Sequence, residues 1–278
     1  MKEFDVVVIG GGTAGISAAR AALEKGATVG LVEMNRLGGF ALYPGMILLQ
    51  MLRDATQRGA SLEPLNTLKA QAAEQSQHAL KGIEESLQSE NIEYIQGKGR
   101  LGEGGRIQIS HDGETTEWHA RKTVIATGSL SKPISTLPFD NHQIQPVEHL
   151  LETLELPSVP LVVGGDRAAL ETAYLLKSLG SKVFLVNDQT RLLSGQDPDL
   201  SGALEQSFKK QKIKLLLGNR IVSILKEDRG IQLTLEGGIK FSAENIFISA
   251  ERLGRTQDLG LREANVELGS NSEIWVNE

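Results

Sequence analysis

Two segments of this chain repeat one grammar about 150 residues apart. In the first, the β-rich run Phe4 to Ile9 leads into Gly10-Gly11-Gly12-Thr13-Ala14-Gly15, then a helix-like Ile16 to Lys25 and a second strand from Thr28 to Val32. In the second, Leu161 to Val163 leads into Gly164-Gly165-Asp166-Arg167-Ala168-Ala169, a helical Leu170 to Leu179, and a strand from Lys182 to Val186. Each is a strand-turn-helix-strand unit of about thirty residues. The economical fold is α/β, with two Rossmann-like dinucleotide-binding domains in tandem.

Length agrees with two domains, since 278 residues at 40% hydrophobic content can build two cores. A net charge of -6, with basic residues scattered, speaks against nucleic acid as the main partner. The N-terminal apolar run is far too short for a membrane span and ends in a glycine turn rather than a cleavage site, so it reads as a first strand in a cytoplasmic protein. The chain has no cysteine, which excludes disulfides, thiolate metal sites and thiol nucleophiles together. Between the repeats, Leu68, Ala72, Ala79, Ile83 and Leu87 predict a long helix over 64–89, followed by a Gly-rich strand region around 97–109. The segment 132–160, with five prolines, reads as the linker. Asp112-Gly113 is a hairpin turn signal, and His78, His111, His119, His142 and His149 lack metal-ligand spacing and read as surface residues.

The first glycine loop carries the strongest functional signal. In Gly10-x-Gly12-x-x-Gly15, the first glycine makes the tight turn, the second admits a pyrophosphate close to backbone amides, and the third lets helix pack on strand. The helix N-terminus then offers its positive end to the phosphates. Glu33 ends the second strand, where a carboxylate can accept hydrogen bonds from ribose hydroxyls.

The order GGGTAG, Glu33, LGGFALYPGMILLQ (37–50), TVIATGS (123–129), the second glycine loop, TRLLSGQDPDL (190–200) and LGLREANVEL resembles the class I pyridine nucleotide-disulfide oxidoreductases over the whole chain. The resemblance implies an FAD domain over 1–150, an NAD(P)-type domain over 151–265, and a return strand beginning at 266–278. It implies FAD contacts from Gly10, Gly12, Gly15, Glu33, Gly38, Gly39, Gln50, Gly99, Ala126, Thr127 and Gly128. The family's C-terminal dimerisation domain, with its His-Glu pair, has no counterpart in the sequence, which raises the expectation of a fragment, or of a protein partner or second chain that supplies it.

The departures from the family pattern are chemical. Ala41 and Met46 stand where the family loop has its two redox cysteines, and neither can form a dithiol. Gln50 stands where the family has a flavin-side lysine, whose glutamate partner is matched by Glu171. In the second loop Asp166 replaces the glycine nearest the pyrophosphate, with Arg167 expected to pair with it, and Asn187 replaces the ribose-binding acid. With Gly164 and Gly165 these form a degenerate nicotinamide site, which argues against tight NAD(P)H binding. Two functions stay open: a flavoprotein oxidoreductase without dithiol chemistry, and a non-catalytic relative or split subunit with a binding or assembly role.

Overall fold

The computed structural model describes residues 1–58, 64–140, 142–152, 156–227, 230–249 and 251–277. The chain divides into two compact units, one formed by Met1–Ile47, Asn66–Leu130 and Arg252–Glu278, the other by Leu48–Leu65 and Ser131–Glu251. The first unit opens with strand β1 (Lys2–Ile9), helix α1 (Thr13–Glu24) and β2 (Val29–Glu33). Helix α2 (Pro44–Gln57) follows in the chain and belongs to the second unit from Leu48 on; the first unit continues with α3 (Leu65–Ser89), β3 (Glu93–Gln96), β4 (Lys98–Leu101), β5 (Arg106–His111) and β6 (Glu114–Ile125). The sheet order is β3-β2-β1-β6-β5-β4. Neighbours from β3 to β6 run parallel, and β5 and β4 are antiparallel.

The β1 sequence explains its central place. Val7, Val8 and Ile9 are all buried, as expected where both faces of a parallel sheet are covered. Alternation sends Val7 and Ile9 into one core with Val32, Ile107, Ile109 and Trp118, and Val8 into another with Ile16, Ala19, Leu31 and Leu87. The α3 helix buries Leu68, Ala72, Ser76 and Leu87, close to the line of positions that predicted it. Asp112 (φ 46) and Gly113 (φ 84) make the two-residue turn between β5 and β6, with both left-handed as a primed turn demands.

The strand β7 (Ser129–Ser131) leads out of the first unit. The second contains β8 (Ile144–Pro146), β9 (Pro160–Val163), α4 (Arg167–Ser178), β10 (Phe184–Asn187), α5 (Pro198–Lys210), β11 (Lys214–Leu217), β12 (Ile221–Glu227), β13 (Gly230–Leu235), β14 (Lys240–Ala243) and β15 (Asn245–Ile248). A parallel sheet of order β11-β10-β9-β15-β8 is joined by an antiparallel β12-β13-β14 ribbon. Back in the first unit, β16 (Arg252–Gly254) pairs with β7. Among the described residues, no helix is long and apolar enough to cross a membrane.

One expectation is corrected. The proline-rich 132–160 segment is no linker over its described residues, because β8 is the edge strand of the second sheet and Leu137, Ile144 and Leu150 are buried. Prolines fit there because an edge strand has one side free of ladder bonds. The compact units divide at 130–131, and the chain returns to the first at 252.

Asp140 organises that segment. Its carboxylate accepts from the amides of His142, Gln143 and Ile144 and from Lys226 Nζ at 2.5 Å. Burial pushes the carboxyl up, but the Lys226 ammonium and these amides outweigh it and hold the group at about 2, below its ordinary 3.8. A depressed carboxylate contributes stability that is present above its unfolded value and lost as pH falls through the folded one. Asp140→Asn should flatten the loss of stability between pH 3.8 and about 2, read by urea melts across that range; an unchanged acid limb would show that the contacts contribute nothing.

Candidate functional site

The first glycine loop lies at the carboxyl end of β1, between the ends of β2 and β6, where strand order turns and α/β sheets place their ligands. Its glycines have different reasons. Gly10 is left-handed (φ 109), and a Cβ there would lie 2.2 Å from the Ala126 carbonyl oxygen. A Cβ on Gly15 would lie 1.8 Å from the Gly10 oxygen, so α1 can sit this close to β1 only on a glycine. Gly12 differs: its backbone is ordinary (φ -75), and the nearest atom to a Cβ would be Gly39 Cα at 4.0 Å. The protein's own atoms do not require glycine there. What it leaves is a bare backbone cradle at the start of α1, a helix with no side-chain cap and no acid in its first turn.

Around this cradle the other expected residues gather. Glu33 Oε2 accepts from the Gly11 amide at 2.6 Å and Oε1 from the Asn35 amide at 2.8 Å, which fixes the carboxylate at the loop with lone pairs to spare. Gly38 donates its amide to the Gly11 carbonyl at 2.8 Å and bridges Gly12, and a Cβ on Gly39 would come within 3.0 Å of Gly12 Cα. The Ala126-Thr127-Gly128 turn follows β6, with the Ala126 amide bonded to the Ile9 carbonyl at 2.7 Å. Gly99 lies in β4, where a Cβ would press on Ile9 and Val32, so packing by itself accounts for glycine at that position. The uncapped helix end, the open glycine and the placed carboxylate suit a dinucleotide: amides for the pyrophosphate, Glu33 for a ribose.

The second loop copies the scaffold and changes the contents. Gly164 (φ 131) meets the Ser249 carbonyl as Gly10 meets that of Ala126, with a Cβ 2.3 Å away. The counterpart of Gly12 is Asp166, the N-cap of α4, whose carboxylate accepts from the Ala169 amide at 2.9 Å and from Ser249 Oγ at 2.8 Å. Asn187, nearly buried at the end of β10, donates to the Arg191 carbonyl at 3.1 Å. The expected Arg167–Asp166 pair is not formed: Arg167 Nε bonds Glu171 Oε1 at 2.8 Å, one helical turn along. Glu171 is therefore paired while its side chain stays partly exposed.

With this geometry in place, comparison with known proteins decides the ancestry. The family model described as "Pyridine nucleotide-disulphide oxidoreductase" matches residues 4–278. The chain belongs to that family. It is 30% identical to dihydrolipoyl dehydrogenase 3 of Pseudomonas putida over 290 residues, covering 96% of this chain and 62% of the relative. It is 29% identical to the soluble pyridine nucleotide transhydrogenase of Mycobacterium bovis over 296 residues, covering all of this chain and 63% of that one. In fold it is similar to LpdA of Mycobacterium tuberculosis (TM-score 0.85, 24% identity, 98% of this chain and 63% of that one). The HOCl-induced flavoprotein disulfide reductase RclA of Escherichia coli gives a TM-score of 0.85 at 20% identity, with 98% and 62% covered. The chain thus spans less than two thirds of the length of these relatives.

Within this family chain, Ala41 is exposed on a 3-10 turn (Gly39–Leu42) and Met46 lies in the first turn of α2. Gln50 is exposed on α2, donating to Asp54 at 3.3 Å and accepting from Arg53. Of the histidines, His119 and His149 are partly buried rather than on the surface, His119 Nε2 lying 2.9 Å from the Gly104 carbonyl. Sequence reasoning missed Arg36 and Ser76. Arg36 Nη2 donates to the fully buried Ser76 Oγ at 2.7 Å, and that hydroxyl donates to the Leu42 carbonyl, so α3 holds both ends of the glycine-containing loop. The signal was faint: Ser76 is a polar residue on the apolar line of α3, four residues after Ala72.

The glycine geometry separates structure from binding. Gly15→Ala should destabilise the fold by about 3 kcal/mol or more through backbone overlap, whereas Gly12→Ala should leave the urea midpoint nearly unchanged. Gly12→Asp should remain folded by circular dichroism and lose flavin, because its carboxylate would cap α1 as Asp166 caps α4; retained flavin would remove this loop as the site.

Proposed function

We propose that this chain is an FAD-binding flavoprotein oxidoreductase, cytoplasmic, that works without dithiol-disulfide chemistry. The uncapped α1 terminus with its open cradle at Gly12 carries the reading, supported by the family membership. The first-turn amides of α1 and the backbone at Gly12 would hold the pyrophosphate, Glu33 a ribose, and the turn Ala126–Gly128 with Gly38 and Gly39 the rest of the cofactor's path. Bound flavin supplies the capacity to accept and release two electrons. This chain's residues bind and orient it, but they offer no thiolate through which electrons could pass to a disulfide. Ala41 and Met46 cannot be oxidised to a disulfide, and Gln50 brings no positive charge that would favour anionic reduced flavin. The acceptor is therefore a non-disulfide compound or a protein partner.

A second reading is that the chain binds flavin as a non-catalytic relative with a binding or assembly role. It is favoured by the second loop, where Asp166 takes the place an anionic cofactor would need. Anaerobic reduction of the purified protein by dithionite, followed by rapid mixing with quinone or ferricyanide, separates the two. Reoxidation of bound flavin over many cycles supports the oxidoreductase; a flavin that no acceptor reoxidises supports the binding role.

Steady-state assays with NADH and NADPH should give no dihydrolipoamide, glutathione or mercuric-ion reduction. The same result is expected for Ala41→Cys/Met46→Cys, since restored sulfur lacks the lysine-glutamate pair and a nicotinamide site. Thiol-dependent turnover by the unmodified chain would overturn the assignment of Ala41 and Met46 to the redox positions.

A further inference from the structure

The second glycine loop differs from the first by one decisive atom group. A helix N-terminus presents amides and a positive dipole end that favour an anion, and a dinucleotide pyrophosphate is the usual anion at a glycine-loop helix. At α4 that role is taken from within. Asp166, in extended backbone (φ -86, ψ 175), lays one carboxylate oxygen 2.9 Å from the Ala169 amide and receives the Ser249 hydroxyl on the other at 2.8 Å. Both oxygens are engaged, and the loop backbone that Gly12 leaves bare in the first unit carries a negative charge here.

The surroundings reinforce the closure. Asn187 packs against the loop so closely that a Cβ on Gly165 would lie 2.2 Å from its Nδ2. Its amide is directed at the Arg191 carbonyl, which leaves no carboxylate at the strand end to accept two ribose hydroxyls. The arginines that could offset Asp166 are committed elsewhere, Arg167 to Glu171 at 2.8 Å and Arg191 Nη2 to the Ser194 carbonyl at 3.0 Å.

We propose that the second unit is closed to pyridine dinucleotides by its own Asp166, a built-in anion in the place of the pyrophosphate, so that flavin reduction in this protein does not draw on NAD(P)H bound at this loop. The closure is local and open to substitution, because the carboxylate belongs to one side chain on extended backbone like that of Gly12. A carboxylate within a few Å of a phosphate repels it and blocks its amides at once. Glycine at this position removes both obstacles, and asparagine removes the repulsion alone.

The test is calorimetric titration of the FAD-saturated full chain with NAD+ and NADP+, in which the first loop is already filled, so that the heat reads binding at the second loop and involves no turnover. The wild type should show no saturable binding, while Asp166→Gly binds one of the two at least about tenfold more tightly. Asp166→Asn keeps a good helix cap while removing the charge, so it remains folded if the glycine variant does not, and it should bind more tightly than the wild type. Saturable binding by the wild type, with affinity matching the variants, overturns the proposal. So does a folded pair of variants that binds neither nucleotide, since the loop would then be closed by something other than Asp166.

Discussion

Main chain pressed against main chain at the carboxyl ends of the central strands is the constraint on which both units depend. At Gly10 the Ala126 carbonyl, and at Gly164 the Ser249 carbonyl, occupy the space a side chain would need. Gly15 repeats the demand where α1 lies on β1. These contacts set the angle at which each helix leaves its sheet, and hence where its N-terminal amides point. The burial of Val7, Val8, Ile9, Leu161 and Val162 stabilises the strands, but without the glycines the strands could not deliver a helix end to the crevice.

Given that shared scaffold, the chemistry of each unit turns on the residue at one equivalent position. Gly12 and Asp166 both precede a helix in extended backbone, so the two positions differ in side chain and not in conformation. A helix terminus stabilises negative charge wherever that charge comes from. At α1 nothing in the described protein supplies it, and a ligand is the natural source. At α4 the protein supplies its own.

The loop between the first unit's glycines and α2 follows a related logic. Ala41, exposed, and Met46, half-buried, carry no thiol, so no disulfide ties the loop to the helix. A polar relay does the tying instead: Arg36 to Ser76, and Ser76 to the Leu42 carbonyl. Ser76 is fully buried, so each of its bonds is made in a low-dielectric setting where an unmade one is costly.

The parallel sheets, the long helix over 65–89 and the glycine turn at Gly10, Gly12 and Gly15 between strand and helix were legible in the sequence, because period-2 and period-3.6 patterning and glycine spacing are local properties of a chain. So was the absence of cysteine, a matter of residue identity that needs no coordinates. Other features depended on residues distant in sequence, and only the tertiary structure decided them. The prolines of 132–160 look like a linker until β8 is seen pairing with β15, roughly a hundred residues away. Arg167 could pair with either neighbouring carboxylate, and helical geometry chose Glu171 because residues four apart share a face. Ser249 has no local signal at all; it becomes the partner of Asp166 because β15 lies beside β9 in the folded sheet. Sequence fixes which groups a chain possesses, whereas which of them meet is set by packing between segments that no local pattern connects.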